Sequence, residues 1–321
     1  YRIMDYAKNV LDFKAEDGTG HPLPWEKTAK NTWRVRSGKA ASIVVSYDVY
    51  AFTRFIADNY LSDDGGFISP TGLFMHVAGR LKDPVTVTVL PHPDWKYVST
   101  GLDPIAGRPN TFTAPDFDTL YDCPILIGNQ EVLTFEAAGR PHTVAAYDLG
   151  TADRAKFTAD LKKIVEAAAV LMGELPYRHY TFLIIGPGGG GLEHLNSTAV
   201  TLNPASLTNP QAYKGWLSFI AHEYFHLFNV KAIRPIALGP FDYERENYTN
   251  MLWVSEGITV YYEFILLNRA GLMARDEVLE RLGSTIANYE NAPGRHYQPA
   301  TASSFDTWTN FFSRGEHSAN T

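Results

Sequence analysis

The chain has 321 residues, a formal net charge of −7, 45% hydrophobic residues and 20% charged ones. This is the composition of a soluble globular protein with a large core, and it offers no basic face for nucleic acid. The length favours two domains over one. No apolar run reaches the roughly 18 residues of a membrane span. The single cysteine, Cys123, rules out an intrachain disulfide. In "YDCPILIGN" it reads as a packed, inert thiol. The compartment stays open between cytoplasm and periplasm or secretion, because the chain starts abruptly at Tyr1.

Residues 1–148 read as a β-rich N-terminal domain, an antiparallel β-sandwich in kind. Thr32–Val35, Ser42–Ala51, Val85–Leu90, Glu131–Ala137 and His142–Leu149 combine β-branched and aromatic residues with alternation. Clusters such as "SDDGG" and "IAGRPN" separate them. Near Gly150 the period changes. Phe157, Leu161, Ile164, Val165, Ala168 and Leu171 fall at helical spacing, in a helix expected to end at Pro176. A buried strand follows at Tyr180–Gly186, then a glycine run and a strand-like "LEHLNSTAVTL". From about Ala212 to Tyr289 the chain reads as mostly helical. Residues 149–321 therefore form the second domain of an α+β chain, mostly helical with a small mixed sheet.

The chemistry concentrates in "AHEYFHLFNVKAIRP", Ala221–Pro235. On a continuous helix from Lys214 to Val230, apolar side chains cover most of the circumference, so the helix is expected to be buried. Ser218, His222, His226 and Asn229 gather in a stripe about 80° wide, with Glu223 at its margin. Buried polar groups need partners. Histidines at i and i+4 can each give a nitrogen to one Zn ion, and the intervening glutamate then lies where it can take a proton from water. A third ligand is required. Glu256, 30 residues after His226 in the apolar stretch "NMLWVSEGITVYYEFILLN", is the candidate. Glu263, seven positions later on the same face, is a candidate for orienting a ligand histidine. A solvated rim carboxylate is its alternative, and Thr259 on that face is expected to pack.

The glycine run "GPGGGGLEHLNST" has the glycine separation of a phosphate loop, but Leu192 stands where its lysine belongs. A flexible turn, or a glycine-lined approach to a strand that pairs with an extended peptide, remains.

HExxH with a later "WVSEG" resembles the glutamate-ligand zinc peptidases, or gluzincins. "LWVSEGITVYYE" resembles the aminopeptidase N family. "HEYFHLFNVKAIRP", "YAKNVLDFKAEDGTGHPLPWEKTAKNTWRV", "YDVYA" and "GGGLEHLNST" more narrowly resemble the glycyl aminopeptidase family. That resemblance spans most of the chain. It implies a thermolysin-like catalytic domain after the β-rich one, usually a C-terminal PDZ domain, and one Zn per chain on His222, His226 and Glu256. It also implies Glu223 as general base and acid, and a peptide substrate with a free N-terminus ending in Gly or Ala. By resemblance Glu193 would hold the substrate amine, with Gly190 and Gly191 near its backbone. Asn229 and Glu263 would support the ligands. The family's oxyanion-donating tyrosine is expected beyond Thr321, so the sequence is expected to be a fragment lacking that residue, the PDZ domain and its first strands. Two other readings stand beside this one: a zinc endopeptidase, and a catalytically weak peptide-binding module with a vestigial metal site.

Overall fold

The computed structural model describes residues 3–310. The first part holds eleven short strands and one short helix, α1 (Phe117–Tyr121). The strands are β1 (Val10–Asp17), β2 (Trp25–Ala29), β3 (Thr32–Val35), β4 (Ile43–Val49), β5 (Tyr60–Leu61), β6 (Gly65–Ile68), β7 (Val85–Thr88), β8 (Tyr97–Thr100), β9 (Asp103–Pro104), β10 (Thr111–Ala114) and β11 (Ile125–Gly128). They pair into two antiparallel ribbons, β1–β4 and β2–β3, and two antiparallel sheets, β7–β10–β9 and β5–β6–β11–β8. The second part carries β12 (Glu131–Ala137), β13 (Arg140–Ala146), α2 (Arg154–Met172), β14 (Tyr180–Ile184), β15 (Gly191–Glu193) and β16 (Ser197–Val200). It continues through α3 (Pro210–Phe225), α4 (Leu252–Arg269), α5 (Arg275–Asn291) and α6 (Ala300–Asn310). Among the described residues no helix is long and apolar enough to cross a membrane.

Side-chain alternation stacks these elements in layers. Ile125 and Ile127 of β11 face a core shared with Val87 of β7, Phe112 and Ala114 of β10, and Leu120 of α1. The two sheets thus pack as a sandwich, and buried Cys123 joins that core. Leu126, between the two isoleucines, points the other way, onto Ala145, Leu183 and Ala199 of the next sheet. That third sheet, β12–β13–β14–β16–β15, is mixed, with parallel pairing of β14 to both β13 and β16. Its far face (Val144, Ala146, Phe182, Ile184, Val200) meets α2, α3 and α4 in the largest core. Strands covered on both faces lose the polar alternation of a half-exposed strand. This is why "ILIG" and "YTFLI" read as continuous apolar runs.

Three expectations change. Strands β12 and β13 do not join the N-terminal sheets. They extend the third sheet, and β13 pairs with β14 from His142↔Tyr180 to Ala146↔Ile184. A division at 148 separates those paired strands, whereas one near Gln130 keeps every sheet whole. Helix α2 ends at Gly173, whose φ of 84° stops the helix before Pro176 is reached. "LEHLNSTAVTL" is not one strand but the hairpin β15–β16, turning at residues 194–196.

Candidate metal centre and substrate edge

Helix α3 starts on Asn209, whose side chain accepts the Ala212 N–H at 2.9 Å, with Pro210 in the first turn. It buries Trp216, Leu217, Ile220, Ala221, Tyr224 and Phe225, and lies along α4, where the Phe225 and Tyr262 rings stack 4.7 Å apart. Tyr262 is thus a packing residue. The crossing brings three ligand-type atoms together. His222 Nε2 and His226 Nε2 are 3.0 Å apart, and Glu256 Oε2 is 3.4 Å from each.

The outer imidazole nitrogens are engaged as well. His226 Nδ1 donates to the Asn229 carbonyl at 3.0 Å, and a carbonyl can only accept. His222 Nδ1 donates to Glu263 Oε2 at 2.9 Å, while Glu263 Oε1 accepts from the Ser218 hydroxyl at 2.8 Å. A proton on each Nδ1 leaves both Nε2 lone pairs aimed at one point beside Glu256. Among the described residues, His222, His226 and Glu256 are the group that could hold a metal ion. The centre favours positive charge. Burial alone would lower the His222 pKa, yet the Glu256 and Glu263 carboxylates push it up to about 10. Partial burial would raise the half-exposed Glu256, but the two imidazoles 3.4 Å away hold it at about 2.

The expected continuous helix to Val230 is corrected. Helix α3 ends at Phe225, and Leu227–Ala232 form a wider turn, with Lys231 N–H donating to His226 C=O and Ile233 N–H to Phe228 C=O. Asn229, at φ −105° and ψ 70°, leaves the helical stripe. Its carbonyl, rather than its side chain, meets His226. The side-chain amide bridges to α4, donating to the Val254 and Ser255 carbonyls and to Thr259 Oγ1 at 2.9–3.1 Å. The wide turn therefore closes the gap between the second histidine and the helix that carries Glu256.

Glu223 is buried against β15. A Cβ at Gly191 would overlap the Glu223 carboxyl group, so any larger residue there displaces that side chain. Burial first, and then the nearby Glu193 carboxylate, push the Glu223 pKa up to about 8. Strand β15 is the edge of its sheet, with β16 its one ladder partner among the described residues. Thr201 N–H bonds the Gly190 carbonyl and His194 N–H the Ser197 carbonyl. Antiparallel alternation then turns the backbone groups of Gly191 and Glu193 toward the open edge. Gly190, whose carbonyl also accepts from Thr201 Oγ1, belongs to the sheet's hydrogen bonding instead. Leu192 faces the neighbouring sheet, which leaves the Glu193 side chain on the α3 side. Glu193 makes no side-chain hydrogen bond or ion pair among the described residues. The oxyanion donor expected beyond Thr321 lies outside those residues.

Sequence reasoning did not find Asp122 or Lys231, which sit beside this edge as an ion pair at 2.7 Å. The one available signal was a lysine in an otherwise buried segment; its partner lies 109 residues earlier.

Residues 1–129 match the profile of the peptidase M61 N-terminal domain, and residues 215–321 match that of the M61 glycyl aminopeptidase. A crystal structure of an aminopeptidase N family protein from Idiomarina loihiensis superposes with a TM-score of 0.93 at 35% identity. The match covers 100% of this chain and 57% of that one, so the chain spans little more than half the length of that relative. Comparison with curated proteins gives no match. With both profiles of one family covering most of its length, the chain belongs to the M61 glycyl aminopeptidase family.

Proposed function

We propose that this chain carries the catalytic centre of a zinc-dependent aminopeptidase that releases small N-terminal residues. The observation that carries the reading is the triangle of His222 Nε2, His226 Nε2 and Glu256 Oε2, with sides of 3.0, 3.4 and 3.4 Å. Ligands about 2.0–2.1 Å from a tetrahedral zinc ion stand about 3.3 Å from one another. Two imidazoles and one carboxylate, with the outer nitrogens held, are a donor set that suits one zinc per chain and leaves a position open. Bound zinc supplies Lewis acidity toward water and toward a carbonyl oxygen. Glu223, buried beside the triangle, takes the proton from the attacking water and returns it to the leaving amine. Glu263 and the Asn229 carbonyl hold the ligand histidines in the required tautomers.

An extended peptide adds to the open edge of β15 through the backbone of Gly191 and Glu193. The Glu193 carboxylate receives the substrate α-ammonium. That contact fixes the distance from the amino terminus to the metal and presents the first peptide bond to Glu223. Preference for a small first residue such as Gly is supported by the glycyl aminopeptidase profile that residues 215–321 match. The test uses the full-length protein on Gly- and Ala-terminal peptides, free and N-acetylated, with and without chelator. Cleavage that survives both metal removal and Glu223→Gln defeats the proposal. Equal cleavage of acetylated peptides supports an endopeptidase, and peptide binding without turnover or zinc supports a vestigial site.

A further inference from the structure

One half-buried cluster outside the ligand set joins the first part of the chain to the substrate edge. Asp122 follows α1, within the segment matched by the N-terminal domain profile. Its carboxylate serves three groups from the second part. Oδ2 accepts the Leu195 N–H at 2.8 Å, and Oδ1 accepts the Lys231 ammonium at 2.7 Å and His194 Nδ1 at 3.1 Å. Burial would raise the Asp122 pKa, but the Lys231 charge and the His194 hydrogen bond outweigh it and keep the group ionised. His194 is 6% exposed, and its Nε2 has no hydrogen-bond partner among the described residues, so Asp122 is what holds the ring.

Each of the three partners leads to the site. His194 and Leu195 form the turn directly after Glu193, closed by the His194 N–H bond to Ser197 C=O at 3.0 Å. Lys231 sits in the wide turn after the metal helix and donates its own N–H to the carbonyl of His226 at 3.0 Å. Burial would lower the Lys231 pKa, but the Asp122 carboxylate and, after it, that of Glu193 raise it. One carboxylate therefore pins the end of a three-residue edge strand to the segment that carries the second histidine. Short edges and turns open most easily in a fold, and displacement of a positioning contact by about 1 Å can cost about 10²-fold in rate.

We propose that Asp122 is a positioning residue that sets Glu193 at its distance from the metal centre, so that the N-terminal domain takes part in selecting peptides with a free amine. The inference rests on the reading of Glu193 as the amine anchor. Asp122 touches neither substrate nor reacting atoms; it acts through His194, Leu195 and Lys231.

The experiment compares wild type, Asp122→Asn and Glu193→Gln in the full-length protein, measuring kcat and KM on a Gly-terminal peptide and its N-acetylated form, with zinc content and thermal unfolding. Expected for Asp122→Asn is a KM for the free-amine peptide raised about tenfold, with kcat within about twofold and zinc unchanged. Its preference for free over acetylated ends falls by a similar factor. Because a lysine left without its partner can unfold the chain, Asp122→Asn combined with Lys231→Met supplies a charge-balanced second variant with the same expected outcome. Unaltered KM and preference in the folded variants, while Glu193→Gln loses the preference, overturns the inference and leaves the anchor reading intact. A fall in zinc content and kcat at constant KM also overturns it, because the cluster then serves the metal. A wild type that cleaves acetylated peptides equally well overturns the anchor reading and the inference together.

Discussion

The candidate metal centre between α3 and α4 and the β15 edge lie side by side, and they are built by opposite rules. In the centre, polar atoms on the protein side are engaged: both Nδ1 atoms, both Glu263 oxygens and the Asn229 amide have partners. At the edge, the Glu193 carboxylate and the outward backbone of Gly191 and Glu193 have no partner among the described residues. The difference fits the roles proposed for each. Ligands are held on rigid helices by supporting hydrogen bonds before a metal arrives. A strand edge offers its groups to a partner that has yet to come.

Four measurements test that contrast. The largest effect is expected from Glu223→Gln, which lowers kcat by about 10²–10⁴ while metal analysis still finds one zinc per chain. Loss of the zinc would instead make Glu223 part of the metal scaffold. Next is the support beneath the centre. His142 on β13 faces Tyr177 Oη at 2.7 Å, and Tyr177 faces Tyr224 of α3 at 2.5 Å, so this chain of contacts links the sheet to the metal helix. Burial, only partly offset by the Arg140 carbonyl, pushes the His142 pKa down from 6.5 to about 4. Between these values the unfolded chain binds the extra proton and the folded one does not. Stability is therefore complete above pH 6.5 and declines toward pH 4, by about 3 kcal/mol in full. Denaturant titrations across that window should show a shallower decline for His142→Gln, and a wild-type slope no steeper than the variant's would remove His142 from the account.

At the edge, Gly191→Ala forces the Glu223 carboxyl aside, and a fall in kcat of about 10² is expected with zinc retained. An alanine variant with wild-type kcat would show that β15 itself gives way. The smallest effect is expected from Glu263→Gln, which weakens zinc affinity about 10- to 100-fold in chelator competition and leaves kcat at saturating zinc nearly unchanged. An unchanged affinity would mean that Ser218 and the helix packing hold His222 well enough alone.

Much of the centre was legible in the sequence because it depends on local periodicity. His222 and Glu223 lie in α3 and His226 caps its end, and Glu256 and Glu263 lie two turns apart on α4. The same reasoning failed at Asn229, where extrapolating the period past Phe225 missed the wide turn, and at "LEHLNST", where apolar character could not reveal a hairpin. The placement of β12 and β13 was missed for a related reason: alternation marks a strand but not its neighbour.

From its spacing alone the sequence marked several of the strands, the helical spacing that puts Ser218, His222 and His226 on one side of α3, and a glycine-rich run before β15. These rest on contacts within a few residues, which composition and spacing encode directly. Only the tertiary structure decided which nitrogen of each histidine stays free, which backbone groups face the open edge, and that Asp122 meets Lys231 across 109 residues. Those depend on how layers stack and sheets pair, and no local period specifies that.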